Sequence, residues 1–175
     1  MKRISIGVAV TIAALMVVMV TSTSASEGTL KARANLTGFQ EVTPKLTTGT
    51  GTFSATITGN QLSYKLTFSG LSSDAFMAHI HFGQRAVNGG IVVWLCGSAA
   101  APGPAGTPAC PAKGGTVTGV ASPAAVQKVM DQNVKAGDFN GVIAILKSGD
   151  GYVNVHTTNF GGGEIRGQVK VESED

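Results

Sequence analysis

Three histidines are the residues of this chain best suited to chemistry, and the 175 residues contain no others. His79 and His81 stand two apart in the segment FMAHIHF, and His156 follows in YVNVHTTNFGGGEIRGQ. Side chains alternate along a strand, so the H-x-H pair projects both imidazoles from one face at a spacing that chelates a single ion. A third imidazole from a neighbouring strand would complete a three-nitrogen site with an open position. Copper and zinc both suit such a set, and copper is the favoured cofactor. Met77 shares the histidine face of its strand, where a thioether would favour Cu(I); simple packing is its alternative role. Asn154 shares the face of His156 and could position that ring by a hydrogen bond. The competing reading makes the histidines structural and the protein a non-enzymatic extracellular interaction or scaffold module.

Glu164 and Arg166 form a second pair, two residues apart on one strand face. They read either as an arginine that guides anions toward the metal or as a structural ion pair tying the last strand to its neighbour. The intervening glycines Gly161 to Gly163 carry no phosphate-loop or dinucleotide spacing, so a tight connection is their expected role. No HExxH, no serine nucleophile elbow and no cupin-type glutamate after HIH is present, and no catalytic residue is assigned. If the protein turns over a substrate at all, the residues admit a copper-dependent oxidoreductase.

The elements that must position these groups are mostly short alternating strands. Leu30 to Leu36 alternates as a half-buried strand, and Thr52 to Thr58 turns through Gly59-Asn60 into a strand carrying Leu62, Tyr64, Leu66 and Phe68 on one face. In FMAHIHF the residues Phe76, Ala78, Ile80 and Phe82 form the core face, opposite Met77, His79 and His81. IVVWLC is a continuous β-branched run, as expected of a strand covered on both sides. A short strand around Thr116 to Val120 precedes two expected helices. The first is capped by Ser122-Pro123 and carries Val126, Val129, Met130 and Val134; the second starts at Asp138 and carries Phe139, Val142, Ile143 and Leu146. The last hairpin puts Tyr152, Asn154 and His156 on one face, and ESED reads as a solvated tail. Tyr64, Tyr152 and Trp94 read as core or core-edge residues. The pattern predicts a mainly all-β fold, an antiparallel β-sandwich or Greek-key barrel with one or two short helices before the last hairpin.

Residues 1–25 read as a secretory signal peptide. Lys2 and Arg3 precede an apolar run from Ile4 to Val20, and Thr23 and Ala25 suit the cleavage positions. An uncleaved anchor is the alternative. Residues 26–175 then form a single domain with a core at about 30–171, in a periplasmic or secreted location. Without Lys2 and Arg3 the chain has 11 basic and 10 acidic side chains. That near-neutral balance, with no basic cluster among aromatics, excludes a nucleic-acid binder. No membrane association is expected after cleavage; the expected partners are a metal ion and, for the scaffold reading, an extracellular protein. The two cysteines, Cys96 and Cys110, are an even count in an exported chain and predict a disulfide closing an Ala-, Gly- and Pro-rich loop.

Four segments together carry a family resemblance: ANLTGFQEVTP at Ala34 to Pro44, LSYKLTFSGL at Leu62 to Leu71, AHIHFG at Ala78 to Gly83, and YVNVHTTNFGGGEIRGQV at Tyr152 to Val169. On these the chain resembles the chordin-type (CHRD) domain in its exported single-domain bacterial form. The resemblance implies an immunoglobulin-like sandwich outside the cytoplasm, and no settled activity. The loops HFGQ and NFGGGE depart from the usual continuation of these motifs and leave the histidines and the Glu164/Arg166 pair intact. The order of His79, His81, His156 and Arg166 is also similar to that in copper–zinc superoxide dismutases. No fourth histidine supplies a bridge or zinc cluster, so that resemblance would imply a copper-only site.

Overall fold

The computed structural model describes residues 28–173. The expected signal peptide at 1–25 lies outside them, as do the last two residues of the expected tail. Among the described residues nine strands are present: β1 (Leu30–Thr37), β2 (Thr50–Thr58), β3 (Gln61–Ser69), β4 (Ala75–Phe82), β5 (Gly90–Cys96), β6 (Gly115–Ala121), β7 (Gly151–Thr157), β8 (Ile165–Gln168) and β9 (Lys170–Ser173). A helix, α1 (Phe139–Ser148), interrupts them. All ladders are antiparallel, in the order β5-β4-β7-β8-β1-β2-β3-β6, with β9 also on β1.

This sheet curls into a nearly closed barrel around a single apolar core. The alternation of β1, β2 and β3 explains their place in it. Ala32, Ala34 and Leu36, then Phe53, Ala55 and Ile57, then Leu62, Tyr64, Leu66 and Phe68 are all buried, and most of the intervening residues face outward. The two ends of the sheet, β5 and β6, meet without a regular ladder. Val126, just past β6, makes an isolated bridge to Val93 of β5, and the Tyr64 hydroxyl donates to the Leu95 carbonyl at 2.7 Å. The expected disulfide is present between Cys96 and Cys110.

The segment expected to form the first helix does not. Only Pro123–Ala125 makes a 3-10 turn, and Val129 and Val134 then bridge each other across a turn. Valines at the helical positions are β-branched and lose side-chain freedom in a helix, and here Val126, Val129 and Val134 are buried in isolated bridges. The second helix forms as its caps predict. Asp138 accepts a hydrogen bond from the Gly141 N–H, and Gly149 closes the helix at φ 82° in the left-handed region. The tail is shorter than expected, since Glu172 and Ser173 belong to β9 and pair with Lys31 and Leu30.

The histidines are carried by the two most deeply covered strands. β4 is buried on both faces, and β7 is buried along its whole length. The alternation therefore sorts the side chains of β4 correctly, but its second face is covered by loops. Phe76 is a local exception to the sorting. The β4–β7 register slips between Ala75 and Met77, and the Phe76 ring stands edge-on to His156 at 6.3 Å.

Candidate metal centre

Adjacent pairing of β4 and β7 brings the three histidines together. Met77 lies opposite His156, His79 opposite Asn154 and His81 opposite Tyr152. The ligand nitrogens of His79, His81 and His156 all lie within 4.8 Å of one another. His79 Nδ1 and His156 Nε2 are 3.2 Å apart. Two nitrogens each about 2 Å from one ion stand at most about 4 Å apart, so this pair already fits and the set needs only small ring rotations. All three rings are buried, His79 completely and the other two to 6% exposure.

Backbone carbonyls decide which ring nitrogen is free. His81 Nδ1 lies 2.9 Å from the Gly89 carbonyl, and His156 Nδ1 lies 2.9 Å from the Gly161 carbonyl. A carbonyl can only accept, so each Nδ1 carries the proton and each Nε2 presents a lone pair. This is how metal-binding histidines are held, with the outer nitrogen bonded to a carbonyl that fixes tautomer and ring orientation. The Nε2 atoms of His79 and His81 are buried with no hydrogen-bond partner. An unpartnered buried acceptor is costly, and an ion in the cluster would satisfy His81 Nε2, while His79 meets the cluster through Nδ1.

The site also keeps its rings neutral. Burial lowers the pKa of His79 to about 2, helped by the neighbouring His156 and His81. Burial lowers that of His81 to about 4 against the opposing hydrogen bond to Gly89, and burial likewise lowers that of His156. Neutral imidazole is the form that binds metal.

Several residues outside the histidines hold this arrangement. Tyr152 lies parallel to His81, 4.7 Å between ring centres and 2° between planes, and its hydroxyl accepts from the Gly89 N–H at 3.2 Å. The Arg166 guanidinium sits 3.4 Å over the Tyr152 ring. It also donates to the carbonyls of Gln84 and Val87 and to the Asn88 side chain. Arg166 thus pins the loop that carries Gly89, the acceptor for His81. Trp94 of β5, half-buried, meets the His79 ring edge-to-face at 4.2 Å.

Glu164 and Arg166 do not pair with each other. Glu164 is fully buried and takes four hydrogen bonds, from the Thr47 hydroxyl, the Ser72 N–H, the Ser72 hydroxyl and the Thr157 hydroxyl. Burial would raise its pKa, but these donors outweigh burial and lower it. Arg166 is 1% exposed, and its guanidinium is hydrogen-bonded to the loop. Asn154 also differs from expectation. The partner of His156 Nδ1 is Gly161, whereas the Asn154 Nδ2 atom stands beside Glu41 Oε1 above Gly163. Met77 is half-buried beside His156, as its strand position implies.

Glu41, Tyr152, Gly89 and Gly161 carry no chemical signal of their own in the sequence. Glu41 sits in the loop after β1, and its approach to Asn154 depends on the pairing of β1 with β8 at Thr37 and Arg166. Among the described residues no helix is long and apolar enough to cross a membrane. A family model described as CHRD domain matches residues 32–169, a span that takes in Glu41, all three histidines and Arg166. No curated protein and no solved structure matches the chain.

Proposed function

The chain belongs to the CHRD-domain family, and on that premise we propose that it is an extracytoplasmic protein binding one metal ion through His79, His81 and His156. Copper is the favoured ion, with zinc the alternative, and metal handling or redox defence the role. The observation that carries this reading is the pair of carbonyls, Gly89 and Gly161, that turn the Nε2 lone pairs of His81 and His156 toward one cluster. Structural histidines would be expected to spend both ring nitrogens on protein partners, and the buried Nε2 atoms of His79 and His81 have none.

An all-imidazole set is acceptable to copper and zinc alike. Met77, the cross-strand partner of His156, favours copper in this reading, because a soft sulfur donor stabilises Cu(I). A bound copper ion would supply one-electron chemistry; the protein's part is to hold three neutral imidazoles in place and limit water around them. The location outside the cytoplasm is supported by the Cys96–Cys110 disulfide, which persists in oxidising compartments.

Trp94 makes the test simple, because it is the single tryptophan and touches His79. Titration with Cu(II) is expected to quench its fluorescence with an endpoint of about one ion per chain, as one three-histidine site requires. Replacing His79, His81 and His156 together by alanine should remove that endpoint while circular dichroism still reports a β fold. Quenching that survives unchanged in the folded triple variant would refute the site.

A further inference from the structure

Among the described residues two glutamates are buried, and their surroundings are opposite. Glu164 has four donors around its carboxylate. Glu41 is 4% exposed, and its Oε1 atom is buried with no hydrogen-bond partner. A carboxyl placed only to tie loops together would be saturated as Glu164 is.

The space around Glu41 is reserved for it. Gly163 adopts φ 122°, and the place where its Cβ would stand is taken by Glu41 Oε1, with Asn154 Nδ2 at 2.8 Å. No other residue type would let the carboxyl and the amide meet there. On its other side Glu41 lines a surface pocket of about 300 Å3, together with Val42, Arg85, Arg166 and Gln168. The charged and titratable groups facing it are Arg166 of β8, Lys45 of its own loop and Tyr152 of β7, with Arg85 across the pocket. Burial nevertheless prevails over the two nearby cations, Arg166 and Lys45, and raises the carboxyl's pKa to about 7.

A divalent cation entering three neutral, buried imidazoles places uncompensated charge in a region where charge is poorly solvated. Glu164 is already ionised and committed to its donors. Glu41 is the acidic side chain that stands beside Asn154 above Gly163, and Asn154 lies opposite His79 in the β4–β7 ladder. We propose, resting on the metal-binding reading, that Glu41 is the counter-charge of the histidine centre and gives up its proton when a divalent cation binds.

The exchange balances simply. One dication enters and one proton leaves, so the centre gains one positive charge instead of two. The Glu41 O–H bond breaks, its electron pair stays on the carboxylate, and the proton passes to water in the pocket. No electron is transferred. Asn154 provides the coupling, since its amide can offer either end. With Glu41 protonated, its Oε1 and the Asn154 Oδ1 lack partners, and the Asn154 Nδ2 stands beside the carboxyl. Once Glu41 ionises, the Asn154 amide N–H beside it is a donor for the new carboxylate.

The experiment uses the full chain and Zn2+, which is redox-silent. Calorimetric titrations near pH 6 in two buffers of different ionisation enthalpy count the protons released. Wild type is expected to release about one proton per Zn2+, because Glu41 is mostly protonated there and the histidines are already neutral. Glu41→Gln should release none and bind at least about tenfold more weakly, the usual scale for groups supporting metal ligands. Infrared difference spectra of wild type should lose one protonated-carboxyl band on Zn2+ addition, a readout that needs no variant. Zn2+ binding with no proton release and no lost band would overturn this inference and leave the metal site standing. Absence of any Zn2+ binding to wild type would overturn both.

Discussion

At the scale of single residues, burial of titratable groups gives the metal-free protein an unusual acid response. The folded state keeps His79, His81 and His156 neutral at pH values where the unfolded chain, titrating near 6.5, already binds protons. Stability from these rings is therefore full above about pH 6.5 and falls as pH drops, by up to about 1.4 kcal/mol per pH unit for each ring. Glu41 acts with the opposite sign. Its folded pKa of about 7 lies above the ordinary 4.5, so between those values the folded state holds a proton that the unfolded chain has lost. Its contribution rises as pH falls through that window and partly offsets the histidines. Thermal melts in the presence of a chelator should thus show a steeper loss between pH 6.5 and 4.5 in Glu41→Gln than in wild type; equal slopes would contradict this assignment. The histidines were readable from the sequence because an H-x-H pair on a strand has one geometric meaning. Glu41 was not, since a glutamate in the polar loop GFQEVTP gives no sign of burial until Gly163 and Asn154 are folded against it. The same holds for Arg166, whose partners are carbonyls of a distant loop and not the glutamate two residues away.

At the scale of elements, local pattern specified the strands and their faces, together with the helix that has both caps. It misassigned residues 126–134, where valines at helical spacing also suit extended chain, and contact with β5 decided the outcome. The meeting of β5 and β6 was likewise invisible, because it has no ladder and rests on a few cross-links. Tyr64 is one of them, with its hydroxyl on the Leu95 carbonyl and its pKa raised by burial to about 12. Tyr64→Phe removes the donor, leaves a buried carbonyl short of a partner and keeps the ring packing. A loss of about 1–2 kcal/mol is expected in urea unfolding, without a change in the metal-free far-ultraviolet spectrum. A neutral substitution would mean that the apolar contacts alone hold the two ends of the sheet.

At the scale of the whole molecule, the sheet order could not be read from the sequence, because alternation fixes faces and not neighbours. It is this order, β4 beside β7 beside β8, that converts three separated histidines into one cluster. Glu164 ties distant parts of that order together, joining the segments at Thr47 and Ser72 to the end of β7. Glu164→Ala would strand the Ser72 N–H and three hydroxyls, and a loss of roughly 3 kcal/mol is expected in equilibrium unfolding. A loss under about 0.5 kcal/mol, the range of ordinary surface changes, would show that water replaces the carboxylate. The placement of β9 against β1 carries a different consequence. Leu30 pairs with Ser173, so one edge of β1 must wait until the strand at the far end of the domain has been synthesised. Until the ribosome has delivered it, β1 presents an unpaired edge of the kind that seeds aggregation. The growing chain needs that edge shielded, by a chaperone or by passage across a membrane before folding, until β9 has emerged.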